Sequence, residues 1–361
     1  AWANSAMDGY AARGDDVRGA TETDPRRLTV VEQIPAGAFP TRRIEPGTCA
    51  RIFTGAPLPE GADSVIRQED TDLGVATVSV LRDRDIGTNI RRAGEDIPRG
   101  ATVLHRGTEL GPAELGVLAS VAVATPMIYR RPRVAIMASG DEIVDVDQPD
   151  LILNGKKIAS SNTHALLALI RRAGGEPVNL GIAKDSPESL KAHLAGAREA
   201  DLLVTTAGIS VGEHDHLRAV MADLGAELRF WRIRMRPGAP LGFGLLGVLP
   251  WIGLPGNPVS TMVTFELFVR PAIRKLAGRQ LPFRRTVNAR LAEPIKVGPT
   301  LQHFLRAVIS SGPEGLEARL TGPQGSGILS SMVKANALLV IPEGRVETPV
   351  GAEVQAILLD D

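Results

Sequence analysis

Four carboxylates fall where apolar runs give out: Asp141 and Glu142 after "RVAIMASG", Asp185 after "EPVNLGIAK", and Asp215 closing "GISVGEHD". If those runs are neighbouring parallel strands, the four acids share the rim where open sheets bind ligands. Acids crowded onto one rim repel each other unless a cation or hydrogen-bond donors hold them. A hard divalent cation such as Mg²⁺ takes such oxygen ligands and shares them with substrate phosphates. Taken singly, Asp185 and Asp215 also suit helix caps, and Asp141 and Glu142 a solvated turn. Only the convergence of the whole set points to a site.

The loop between them, Gly208-Ile209-Ser210-Val211-Gly212, spells G-x-S-x-G. That is the spacing of a serine-hydrolase elbow, which needs a helix directly behind the nucleophile and an acid and a histidine further along. The apolar helical register begins only at Leu217, and His303 is the one histidine beyond His216. Ser210 and Glu213 fit a capping-box spacing, which would start the helix earlier. The competing reading is a glycine-rich cradle whose backbone N–H groups hold a phosphate. Ser210 is thus either a nucleophile or part of a cradle, and the late register favours the cradle. The loop matches neither a Walker sequence nor G-x-G-x-x-G. His214 and His216 stand two apart and diverge, so a zinc site is not expected.

Arg232, Arg234 and Arg236 alternate in "FWRIRMRPG" and on one strand would project from one face, suited to a multiply charged anion. "LPGNP" supplies a tight turn, Pro255-Gly256-Asn257, ahead of a helix whose N-terminus also suits an anion. The plain alternatives are a solvated edge strand and a capped turn.

These residues need a scaffold, and the chain supplies a rhythm for one. Between Arg26 and Leu104, short β-branched runs ("RLTVVEQI", "CARIFTG", "SVIRQED", "ATVSVL") are separated by Gly and Pro, which predicts a β module. "GPAELGVLASVAVA" predicts a helix with Pro112 in its first turn and Leu115, Leu118, Ala119 and Ala122 on one face. From 131 to 278 strands and helices alternate, predicting a doubly wound α/β domain. Its helices include one capped near Asn162, one entered through Ser186-Pro187, and one starting at Asn257-Pro258 with a kink at Pro271. From Leu281 on, β-type runs return as a small β domain.

Bulk properties narrow the class. Lysine plus arginine and aspartate plus glutamate stand at 41 each and aromatics at 4%, so nothing marks a polyanion-binding surface. The single Cys49 excludes an internal disulfide framework and suits a reducing compartment. No run has the length of a membrane span. A soluble cytoplasmic enzyme of several domains is expected.

Seven segments together resemble one family: "NSAMDGYA" (4–11), "RIFTGAPLPEGADSVI" (51–66), "ASGDEI" (138–143), "SSNTHALLALIRRAGGEP" (160–177), "TTAGISVGEHD" (205–215), "LPGNPVS" (254–260) and "TGPQGSGILSSM" (321–332). The set resembles the molybdopterin molybdenumtransferases, the MoeA type that also includes the E-domain of gephyrin. The resemblance implies insertion of molybdate into adenylylated molybdopterin with release of AMP, assisted by Mg²⁺ or a similar divalent cation. It implies a central MogA-like α/β domain (131–278), an inserted β-rich domain (13–104), a linking domain from 1–12 and 105–130, and a C-terminal β-barrel-like domain (279–361). Catalytic positions carried over are Asp8, Thr54, Glu142, Asp185 and Asp215, with Asp141, Glu142, Asp185 and Asp215 as metal ligands. Cofactor-binding positions are Gly208, Ser210, Gly212, Arg232, Arg236, Pro255, Gly256, Asn257, Arg306 and Ser326.

The family implies an elongated homodimer, its site where the α/β domain of one subunit meets the β module of the other. Molybdopterin adenylyltransferase and molybdoenzyme maturation proteins are further candidate partners; nucleic acid and membrane are not. Members also carry a mostly helical segment before the first motif, so the chain is expected to be shortened there. Ala3 replaces a usual Asp, Arg232 and Arg236 replace lysines, and Ala239 replaces the Lys of "PGKP". Arginine keeps the charge but forms a fork where lysine makes a point contact. The alternatives retained are a molybdopterin adenylyltransferase, a serine hydrolase using Ser210, and a non-catalytic scaffold.

Overall fold

A computed structural model describes residues 2–207 and 216–360. The chain forms two compact units, residues 1–105 and 106–361.

The first unit is built on a five-stranded sheet in the order Ser64–Arg67, Gly9–Ala12, Thr48–Ile52, Arg26–Ile34, Thr77–Val80. Its sequence runs are β-branched, and Leu28, Cys49, Ile66, Val78 and Val80 are fully buried against Tyr10. The strand Gly9–Ala12 is paired on both sides, so the sheet takes in residues ahead of the expected start at 13. Gly9 is required there: a Cβ at that position would lie 2.0 Å from the Ile66 carbonyl oxygen. Burial pushes the Cys49 thiol up to about 12. Since the thiolate is the reactive form, Cys49 is expected to resist iodoacetamide at pH 8 in the native protein and to react fully in 6 M guanidinium. Rapid native labelling, read by mass spectrometry, would contradict that burial.

The second unit opens with the helix Pro112–Ser120, with Gly111 as N-cap and the Glu114 side chain accepting from the Gly111 N–H at 3.0 Å. The expected apolar face does not pack: no residue of the helix is buried, Leu115 is 54% exposed, and Ala122 lies beyond its end. Local periodicity specifies a helix, but nothing among the described residues covers this one.

Next comes a six-stranded sheet in the order Glu176–Ala183, Arg133–Ser139, Leu202–Thr206, Leu249–Leu254, Gly242–Leu246, Ala226–Trp231. The first four strands are parallel, Gly242–Leu246 pairs antiparallel with the fourth, and Ala226–Trp231 pairs antiparallel with Gly242–Leu246. Arg133–Ser139 shows why its sequence reads as an unbroken apolar run: successive side chains point to opposite faces, and both faces are covered. Val134 and Ile136 pack with Leu166, Ile170, Phe265 and Ile273 on one side. Ala135 and Met137 pack with Leu190, Leu194, Leu217 and Met221 on the other.

The helix Pro187–Leu194 is entered as expected, with Ser186 Oγ accepting from the Ser189 N–H. The helix Ser161–Ala173 has its N-cap at Ser160, so Asn162, expected as the cap, lies in the first turn and its side chain is free for another use. The last helix keeps Asn257 at the N-cap and Pro258 at N1. Pro271 lacks an N–H and crowds the preceding turn; the chain accommodates it with a π-helical turn, Phe265–Val269, before Arg270–Leu276 continues.

The C-terminal region closes into a five-stranded barrel: Gln302–Gly312 pairs with Gly315–Leu320 and with Ala337–Ile341, and Thr286–Leu291 and Glu353–Leu358 complete the ring. Leu291, Leu305, Ala307, Leu339 and Ala356 fill it.

Candidate active site

The carboxyl ends of Arg133–Ser139, Leu202–Thr206 and Leu249–Leu254 open onto a cavity of about 420 Å³. This is where an open parallel sheet presents its loops to a ligand. Of the residues expected in a site, Glu142, Pro255, Gly256 and Asn257 line it, joined by Ile143, Ile158, Ser161, Asn162 and Pro240. The mixture of apolar walls and few polar groups suits a flat heterocycle. Gly140, with φ +145°, lets the chain leave the strand, and the Glu142 carboxylate lies against it, 2.5 Å from where a Cβ would sit.

Asp141 and Asp185 meet across the rim: the Asp141 N–H donates to Asp185 Oδ2 and the Asp185 N–H to Asp141 Oδ1, each at 3.4 Å. The Lys157 ammonium bonds the Asp141 carbonyl. Two expected cation ligands are therefore adjacent. Among the described residues, however, no three His, Cys, Asp or Glu side chains gather into a cation-sized group. Asp215, the fourth expected ligand, lies outside the described residues, as do Gly208, Ser210 and Gly212.

The three arginines do not share one strand face. The strand ends at Trp231, Arg232 takes φ +82°, and Met235–Arg236 pairs with Gln302–His303 of the barrel. Arg232, Arg234 and Arg236 stay exposed while Met235 is buried, and the Arg234 guanidinium is engaged by Glu343. Residue alternation alone cannot reveal that a chain will change sheets.

Arg306 is fully buried, and burial lowers its pKa. Its Nε donates to Ser331 Oγ at 3.0 Å and its Nη2 to the Gly325 carbonyl at 3.0 Å. It thus props the loop carrying Ser326, whose carbonyl accepts from the Val259 N–H at 3.1 Å. One donor of the helix start at Asn257 is therefore taken by the barrel.

In the β module, Thr54 donates to Asp8 Oδ1 twice, from backbone N–H and from hydroxyl, both at 2.8 Å. These bonds, chiefly the backbone one, hold the Asp8 carboxyl below its usual range, with a smaller contribution from nearby Arg51. Two expected site residues thus form one unit, beside an Arg51 stacked on Tyr10 and Phe53. A depressed carboxylate contributes stability above its unfolded pKa and loses it as pH falls through the folded value. Thr54→Val is expected to move the Asp8 titration upward toward the ordinary aspartate range; an unchanged midpoint in a carbon-13 carboxyl titration would refute that role.

His303, the histidine a hydrolase would need, is 6% exposed, with Nε2 against the Gly298 carbonyl at 3.2 Å. Burial, first, lowers its pKa.

The sequence matches three family descriptions in chain order: MoeA N-terminal region (domain I and II) over 1–122, a probable molybdopterin binding domain over 135–275, and MoeA C-terminal region (domain IV) over 288–359. A molybdopterin molybdenumtransferase of a Nostoc species is 37% identical over 365 residues, covering 99% of this chain and 83% of that protein. The chain belongs to the molybdopterin molybdenumtransferase family. Molybdopterin molybdenumtransferase 2 of Mycobacterium tuberculosis is likewise 37% identical, over 98% of this chain and 87% of that protein. The molybdopterin biosynthesis moeA protein of Pyrococcus horikoshii superposes with a TM-score of 0.85 at 31% identity, covering 99% of this chain and 87% of that one. Membership makes the protein a transferase.

Two features of this family member's site escaped the sequence. Asn162 was expected as a helix cap; the signal that could have found it is its place in "SSN" at a helix start facing strand ends. Pro240, reached only through the turn after Arg236, carries no such signal.

Proposed function

We propose that the protein inserts molybdate into adenylylated molybdopterin and releases AMP, the last step of molybdenum cofactor synthesis, working as a cytoplasmic homodimer. The observation that carries this reading is the cavity of about 420 Å³ at the strand ends, with Glu142 on its wall. Full-length similarity to proteins named for this activity supports it. No helix among the described residues is long and apolar enough to cross a membrane.

In this reading the apolar walls, Ile143, Ile158 and Pro240, take the pterin ring. The Pro255–Asn257 turn and the Gly208, Ser210 and Gly212 loop hold the pyrophosphate with backbone N–H groups. Arg232 and Arg236, exposed cations, draw in the molybdate dianion. Arg306 acts from beneath, by fixing the loop of Ser326. Asp141, Glu142 and Asp185 offer the hard oxygen donors that Mg²⁺ or a similar cation prefers, and the reading makes Asp215 the fourth. A bound divalent cation would neutralise charge on the pyrophosphate as it is cleaved.

Incubation with adenylylated molybdopterin, Mg²⁺ and molybdate tests the proposal. AMP release that requires both protein and molybdate is expected; none at all would overturn it.

A further inference from the structure

One side chain ties the floor of the cavity together. Asn162 Nδ2 donates to Thr206 Oγ1 at 3.0 Å and to the Gly256 carbonyl at 2.7 Å. Thr206 ends one parallel strand, and Gly256 lies in the turn after Leu254, which ends the neighbouring one. The bridge is reinforced beneath, where Thr261 Oγ1 donates to the Pro255 carbonyl at 2.6 Å and Thr206 Oγ1 to the same oxygen at 3.4 Å. Just past Thr206, Ala207 adopts φ +68°, a conformation an alanine takes only when its surroundings impose it. Ala207 lies beside the turn that Asn162 holds, its Cβ 3.4 Å from where a Gly256 Cβ would be.

Both amide hydrogens of Asn162 are therefore committed to protein oxygens. Its Oδ1 remains as the acceptor the side chain still has to offer, and Asn162 lines the cavity. We infer that Asn162 is a positioning residue for the substrate ring: it fixes the two loops that bound the cavity and accepts a hydrogen bond from a ring N–H with Oδ1. This rests on the activity proposed above, and the ligand class it selects is a bicyclic heterocycle with an amide-type N–H edge.

A role confined to folding and a role toward the ring separate in steady-state kinetics. With Asn162→Ala, the KM for adenylylated molybdopterin should rise by about 10- to 100-fold while the KM for molybdate stays put. Asn162→Asp keeps an oxygen but sets it against the Gly256 carbonyl, so it should be as impaired as alanine. Thr206→Ser should behave as the unmodified protein and Thr206→Val should show a smaller rise of about 3- to 10-fold. Unchanged KM values, or an equal rise in both, would overturn the inference. Should Asn162→Ala not fold, Thr206→Val carries the same comparison. Anaerobic titration with molybdopterin alone forms a second arm that reads affinity without turnover: equal molybdopterin affinity of the unmodified protein and the variant overturns the role of Asn162, whereas failure of the unmodified protein to release AMP from adenylylated molybdopterin overturns the activity.

Discussion

Asp185→Ala is expected to lower molybdate-dependent AMP release on the order of 100-fold or more, comparable to removing one preorganised electrostatic group from other sites, while leaving the unfolding midpoint close to that of the unmodified chain. Asp185 follows the strand Glu176–Ala183 at the end where the parallel sheet presents its loops. Ser186, not Asp185, is the N-cap of the next helix, and among the described residues the only backbone donor its carboxylate meets is the distant Asp141 N–H. A carboxylate with so little to do for the fold is available for a ligand. Asp185→Asn separates charge from shape, because the amide retains the volume and loses the anion. Equal loss in the two variants assigns the effect to charge, and a rise in the Mg²⁺ concentration needed for half-maximal rate would accompany it. A rate within threefold of the unmodified protein in Asp185→Ala would remove this residue from the chemistry.

Glu266→Ala is expected to destabilise the second unit by about 3–5 kcal/mol, the usual cost of removing one partner from a buried ion pair. The Glu266 carboxylate is 6% exposed and lies between two buried guanidinium groups. Arg284 donates to it through Nε at 2.8 Å and Nη2 at 3.3 Å, and Arg270 Nε is 3.8 Å away. Arg270 also donates to the Pro282 carbonyl at 3.1 Å, so the acid joins the last helix of the α/β layer to the segment leading into the barrel. Alanine would take the carboxylate away from two buried guanidinium groups, whereas glutamine would keep hydrogen bonds and cost less. The measurement is the urea midpoint and slope for each variant. A loss below about 1 kcal/mol for alanine would show that water reaches the site or that the arginines find other partners.

Much of the architecture was legible because the physics that shapes it is local. Strands covered on both faces must read as apolar runs, which is why "RVAIMAS" and "LLVTT" stood out. Ser186-Pro187 and Asn257-Pro258 carry the cap and first-turn preferences that start helices. The rim followed from strand order, and it placed Glu142 with Pro255, Gly256 and Asn257 around one cavity. The failures share a different cause. Whether Met235–Arg236 extends its own sheet or joins the barrel depends on a partner far along the chain, Gln302–His303. That Arg306 is sealed beneath a loop, rather than open to an anion, depends on how Gln324 and Gly325 fold over it. Asn162 looks like a cap, yet the N-cap position falls two residues earlier at Ser160, whose hydroxyl bonds the Thr163 hydroxyl instead of a backbone N–H. Pairing across long separations is invisible to periodicity.

The barrel is attached to the α/β layer at several seams, among them the ladder of Met235–Arg236 on Gln302–His303, the bond from the Val259 N–H to the Ser326 carbonyl, the donation from Arg172 to the Leu359 carbonyl at 3.0 Å, and the packing of Val259 and Val263 with Phe304, Leu338 and Leu359. A body held at one point can swivel; held at several, it keeps only the motions that strain them all. Opening the layer at the "LPGNP" turn therefore loads the barrel, and loosening the barrel slackens the turn. The two parts should lose their structure in one transition, and a protease that nicks the connecting segment at 279–285 would leave the fragments associated.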